Sequence, residues 1–358
     1  MTIYFRTCIL LLFFAESYCL KLEAQTFESK IESIISKEFN DPNGPGGVFL
    51  ITKNGETIFQ KATGKANLEL KADLNANSVF QIGSMTKQFT AIAILILEEN
   101  GKLEVSDKVS KYIKDYPNGD SISIHQLLTH TSGIKDFTRM RSISDIAQKE
   151  MSPSNMVDFF KNEPVDFKPG ERFEYNNSGY VLLGYIIELV SGQKYEDFIQ
   201  ENIFKKANMT HSGYASDRKI IVNRASGYHK KEYGYVNKTM INFGVPFSAG
   251  SLISTVDDML KWQNALNKNL IINDKSSKKA FSRYKLNSGE AFDYGYGWHL
   301  LNENGIEIRE HGGSIFGFKS MGVYLPSKDI YVIGLSNCDC NSPTQVVRDM
   351  AELAGKVL

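Results

Sequence analysis

Cysteine is scarce in this chain, with four residues among 358, at positions 8, 19, 338 and 340. So few cannot build a disulfide framework. Cys338 and Cys340, two apart on an expected strand, read as poorly placed for an unstrained bridge. They have no His or further Cys nearby to complete a metal site, His125 and His130 lack the i, i+4 spacing of a helical zinc pair, and no His-Glu-x-x-His occurs, so no metal and no cofactor is expected. An excess of charge is missing too: Lys+Arg and Asp+Glu both total 41, which excludes a general basic field for nucleic acid or acidic lipid. There is no apolar run of the ~20 residues that span a bilayer. A Gly-x-Ser-x-Gly elbow, a phosphate-binding loop, internal repeats and low-complexity tracts are also absent.

What is present begins with Arg6 followed by the apolar run Cys8–Ala15 and Glu16. Too short for a span, it reads as a secretory signal over residues 1–24, cleaved after Ser17 or Ala24. The expected location is secreted or periplasmic, with no integral span once the leader is gone; an uncleaved leader would make a membrane anchor instead.

Residues 27–39 have the spacing of an amphipathic helix, with Phe27, Ile31, Ile34, Ile35 and Phe39 on one side. Val48–Thr52 and Glu56–Gln60 flank a turn at Asn54-Gly55 and predict a β-hairpin. From Met85 to Glu99 nothing breaks a helix, and Ala91–Leu97 is apolar throughout, so this helix belongs inside a large core. Signals from Val105 to about Gly250 are mostly helical, including the helix Gly179–Val190. Strand periodicity returns at Tyr294–Trp298, Ile306–Glu310, Lys319–Leu325 and Ile330–Leu335, before a closing helix over Gln345–Gly355. The expected fold is α/β (α+β): an antiparallel sheet from N- and C-terminal segments (25–80 and 285–358) flanked by terminal helices, with a large, mainly helical insertion (81–284) and an active site between the two lobes.

Ser84 and Lys87 stand three residues apart at the entrance of the buried helix, on one face of it. A hydroxyl beside an amine there can form an activated nucleophile. The spacing alone is weak, because Ser-x-x-Lys recurs at Ser132, Ser191, Ser216, Ser276 and Ser282. Tyr-x-Asn recurs at Tyr116 and Tyr235 besides Tyr175, and His-x-Gly at His211 besides His311. Context selects Ser84, Tyr175 in a loop before a helix, and His311 at a strand end.

These three segments, Ser84-Met85-Thr86-Lys87, Tyr175-Asn176-Asn177 and His311-Gly312-Gly313, resemble the motifs of the serine β-lactamase and penicillin-binding-protein superfamily. The branch is that of class C β-lactamases, D,D-carboxypeptidases, D-aminopeptidases and esterases. Leu127–Gly133, Lys168–Glu171, Gly179–Gly184 and Tyr294–Trp298 extend the resemblance over nearly the whole chain after the leader. It implies a β-lactamase-like fold and an acyl-enzyme on Ser84, with Lys87 and Tyr175 sharing the proton work and either one as the base. It also implies an oxyanion hole from the backbone N–H groups of Ser84 and Ser314. Asn177, His311, Gly312 and Gly313 would face the substrate, a small ester or peptide-like amide, possibly containing a D-amino acid. Asn177 also reads as a helix N-cap, and His311 also as a strand-end residue bonded to backbone. Where class C β-lactamases carry lysine this chain has His311, which at neutral pH is mostly uncharged and tilts the reading toward a peptidase or esterase. His130 reads as a loop-fixing residue. The alternative function is a non-catalytic or single-turnover binder of peptidoglycan fragments or β-lactams. Oligomeric state is not legible.

Overall fold

Val48, Phe49, Leu50 and Ile51 are all fully buried, so the strand that carries them needs cover on both faces. A computed structural model describes residues 26–358 and supplies that cover. The expected signal segment, with Cys8 and Cys19, lies outside the described residues. Helix α1 (residues 26–38) precedes the hairpin β1 (Gly47–Lys53) and β2 (Glu56–Thr63). Helix α2 (Thr86–Glu99) and helix α3 (Asn177–Ser191) lie in the middle of the chain. Strands β3 (His299–Glu303), β4 (Ile306–Ile315), β5 (Phe318–Leu325) and β6 (Ile330–Ser336) follow, then helix α4 (Pro343–Val357).

The six strands form one antiparallel sheet in the order β3-β4-β5-β6-β1-β2, so N- and C-terminal segments join at β1 and β6. Alternation sends Phe49, Ile51 and Val332 to one face, where Phe27, Ile31 and Ile35 of α1 and Val347 and Met350 of α4 cover them. Val48, Leu50, Ile333 and Leu335 face the other side and join the larger core built around α2 and α3. Every residue of α2 from Thr86 to Leu97 is buried, as its apolar run requires.

Three details depart from the sequence reading. Tyr294–Trp298 forms no strand. It is a bent loop, and Gly297, with φ +90°, lies against α2, where a Cβ would stand 2.9 Å from the Gln88 Cα. Within the region read as mostly helical, Tyr228–Lys231 and Gly234–Asn237 form a hairpin, and Gly213–Tyr214 pairs with Leu252–Ser254, which in turn pairs with Phe80–Gln81, in a small three-stranded sheet. Finally, Cys338 and Cys340 are disulfide-bonded. Strand β6 ends at Ser336, so the two cysteines sit in a turn with Cα atoms 5.1 Å apart, and the objection drawn from one shared strand does not apply.

Candidate active site

A single 3-10 turn, Gly83–Met85, leads into α2 and presents Ser84 half-buried at the helix entrance. One turn on, the side chain of Lys87 is fully buried. Its Nζ donates to Ser84 Oγ at 3.2 Å, to Asn177 Oδ1 at 2.9 Å and to the Ala249 carbonyl at 2.9 Å. Two of these three partners can only accept. When Lys87 loses a proton, its two remaining N–H groups stay with Asn177 and Ala249, and the lone pair is left for the Ser84 hydroxyl. Burial pushes the Lys87 pKa down from 10.5 to about 7, against the pull of the Asp136 charge, which raises it.

Tyr175 follows the irregular loop predicted before α3. Its ring lies 4.8 Å from Lys87 Nζ. The hydroxyl is sealed from solvent with no hydrogen-bond partner. Burial holds its pKa above the usual phenol value; Ser84 is near enough to favour the phenolate slightly, but makes no hydrogen bond to it.

The N-cap of α3 is Asn176, whose Oδ1 accepts from the Gly179 N–H at 2.9 Å. Asn177 is thereby free of the capping role. Its Nδ2 donates to Asp136 Oδ2 at 3.2 Å and to Thr138 Oγ1 at 3.3 Å, so both amide hydrogens are engaged by protein groups. Asp136 is a member of this cluster that sequence reading missed. It is buried and also accepts from the Thr138 N–H at 3.0 Å and Thr138 Oγ1 at 2.9 Å. His130, at φ +58°, accepts the Asn176 N–H on Nδ1 at 3.0 Å, which fixes the loop before α3.

His311 lies within β4, not at a strand end, paired with Gly322 of β5. It is buried behind Tyr175, with ring centroids 6.1 Å apart, and does not line the cleft. Its Nδ1–H donates to the Gly312 carbonyl at 2.6 Å, so Nε2 accepts from the Tyr294 hydroxyl at 3.0 Å. Burial first, then the nearby His299 and Lys87, hold its pKa well below 6.5, so the ring is neutral at pH 7. Gly313 brings β4 onto the nucleophile turn: a Cβ there would lie 2.0 Å from the Ile82 carbonyl oxygen. On the same sheet face, Ser320 Oγ donates to that oxygen at 2.8 Å. Ser314 faces the other way along the strand, which leaves its backbone beside Gly83.

Ser84, Tyr175, Asn177 and Ser314 share the wall of one cleft of about 520 Å³. Its remaining lining is largely apolar: Phe137, Ile143, Ile241, Val245, Pro246, Ala249, Ile315 and Phe316. Thr138 and Asp339 are its other polar side chains, and Asp339 is paired with His229 at 2.5 Å. Among the described residues, no Lys, Arg or His lines this cleft. A second depression, of about 580 Å³, lies beside His211 and contains neither Ser84 nor Lys87.

A family model described as Beta-lactamase matches residues 31–355. Penicillin-binding protein 4* of Bacillus subtilis (strain 168) is 33% identical over 311 residues, which cover 81% of this chain and 68% of that protein. Among solved structures, the penicillin-binding protein from Bacillus halodurans superposes with a TM-score of 0.78 at 27% identity, over 92% of this chain and 99% of that one. The octameric penicillin-binding protein homologue from Pyrococcus abyssi gives 0.79 at 29% identity, over 92% and 77%. The antiparallel sheet with its helical insertion is thus the β-lactamase-like fold, and the chain belongs to the beta-lactamase family of serine hydrolases.

Proposed function

We propose that the protein hydrolyses an ester or amide of a small, peptide-like molecule through an acyl-enzyme on Ser84. Lys87, in its neutral form, takes the Ser84 proton as Oγ attacks the carbonyl carbon. The backbone N–H groups of Ser84 and Ser314 receive the oxyanion, an interaction whose loss typically costs roughly 3 kcal/mol in transition-state stabilisation. Tyr175, neutral and with an unengaged hydroxyl, delivers a proton to the leaving group. Water then releases the acyl group by the same relay in reverse. The observation that carries this reading is the three-way anchoring of Lys87 Nζ, which leaves its lone pair to Ser84 alone.

The substrate class follows from the walls of the cleft. Apolar lining without a cationic side chain favours a neutral or amine-bearing acyl donor over one that presents a free carboxylate, and so a peptidase or esterase over an efficient β-lactamase. Export is part of the proposal, on the strength of Arg6 and the apolar run Cys8–Ala15. A fluorophosphonate probe should label Ser84, and Ser84→Ala should abolish labelling. p-Nitrophenyl esters and D-alanyl amides should turn over faster than nitrocefin. Rapid nitrocefin turnover would overturn the substrate order, and a single acylation without turnover would favour a binder or sensor.

A further inference from the structure

Asp136 hydrogen-bonds to neither Ser84 nor Lys87, yet it decides how the Asn177 amide, which lies between it and Lys87, can be oriented. A carboxylate only accepts hydrogen bonds and an ammonium only donates them. With Asp136 on one side and Lys87 on the other, the Asn177 amide has one allowed orientation, Nδ2 toward Asp136 and Oδ1 toward Lys87. Thr138 holds the carboxylate from below with both its N–H and its hydroxyl. Turned over, the amide would present its N–H groups to Lys87 and compete for the lone pair that Ser84 needs. Among the described residues, Asp136 also supplies the negative charge that acts on Lys87. The other titratable groups facing the amine are Tyr175, Tyr180, His130 and His311, each shifted by burial toward its neutral form. Nearby charges are engaged elsewhere: Lys135 pairs with Asp166 and Arg139 with Glu174.

We propose that Asp136 is a positioning residue for the nucleophile's base, locking the Asn177 amide so that the free electron pair of Lys87 points at Ser84, and keeping its carboxylate across that amide from the amine. This rests on the acyl-enzyme reading above.

The test is the pH dependence of the rate at which a fluorophosphonate labels Ser84. In that step the Ser84 proton passes to Lys87, the Oγ–P bond forms, the P–F bond breaks and fluoride leaves. Asp136→Asn removes the charge and, having N–H groups of its own, permits the Asn177 amide to turn. The expected result is a plateau rate lowered by about 10–100-fold, below the full loss of an acid–base group, with the acid limb displaced to lower pH. An acid limb that stays in place overturns the inference, whatever the plateau does, because lost packing alone does not move a titration. Asp136→Glu keeps the charge but misplaces the oxygens, so its plateau should fall with the limb held near that of the parent. If Asp136→Asn does not fold, Asp136→Glu decides: an unchanged plateau overturns the proposal. Failure of the parent protein to label at any pH would instead sink the acyl-enzyme reading, so the two failures are distinguishable.

Discussion

Two nitrogen bases flank Tyr175, Lys87 from α2 and His311 from β4, and the same force acts on both with opposite consequences. Burial disfavours the charged form of each. For the amine, which begins at 10.5, the loss of solvation ends at about 7, where the neutral form is abundant and still basic. For the imidazole, which begins at 6.5, the same loss ends well below the working range and leaves a permanently neutral ring. Their wiring matches: Lys87 keeps one lone-pair direction open toward Ser84, whereas both His311 nitrogens are spent on Gly312 and Tyr294. For a base that is cationic when protonated, desolvation leaves a useful catalyst only where the starting pKa lies far enough above neutrality.

That contrast can be broken by substitution. Ser84→Ala should remove at least about 10⁴-fold of hydrolytic turnover, since a lost nucleophile disables the whole unit. Lys87→Met should cost roughly 10³–10⁴-fold, near the upper end for an acid–base group. It should also reveal the strain of the buried amine. The folded state, with a lysine pKa of about 7 against 10.5, binds fewer protons than the unfolded chain in between, so its stability falls as pH drops from 10.5 to 7 and is constant below. The gain in melting temperature of Lys87→Met over the parent should therefore grow as pH falls from 10.5 to about 7 and hold at its full size below, vanishing only above 10.5. Tyr175→Phe should lower turnover about 10²–10³-fold, as loss of a proton donor does, with little change in melting temperature because the hydroxyl has no partner to lose. His311→Asn should change turnover by less than about tenfold and leave the acid limb where it was, well short of the roughly 10²–10⁴ of an acid–base group. A large loss or a displaced limb there would put His311 in the proton path and undo the comparison.

Much of this was legible in the letters. The apolar run Ala91–Leu97 fixes α2 as a core helix, and helix spacing alone puts Ser84 and Lys87 on one face. The unbroken apolar runs Val48–Ile51 and Ile330–Leu335 give strands buried on both sides. Other features depend on which way a side chain turns. His311 is expected from sequence at a strand end facing the substrate; its place inside β4 and behind Tyr175 follows from the pairing of β4 with β5 and from the loop that delivers Tyr294. That loop read as a strand because its aromatics alternate with glycines, a pattern that here serves close approach to α2. Asp136 carried no signal in a single sequence, since an aspartate after a Ser-Gly turn is equally at home in solvent. Asn176 and Asn177 are adjacent and chemically identical, and only the helix start tells the cap from the residue beside Lys87.

Activation of Ser84 turns on the charge state of one lysine. Carbon-13 NMR titration of the side-chain Cε of Lys87, assigned by its absence in Lys87→Met, measures that directly. The predicted result is a lysine resonance titrating near pH 7, and unmoved by His311→Asn. A Lys87 that holds its proton to about pH 10, as an ordinary lysine does, would rule out the amine as the base for Ser84.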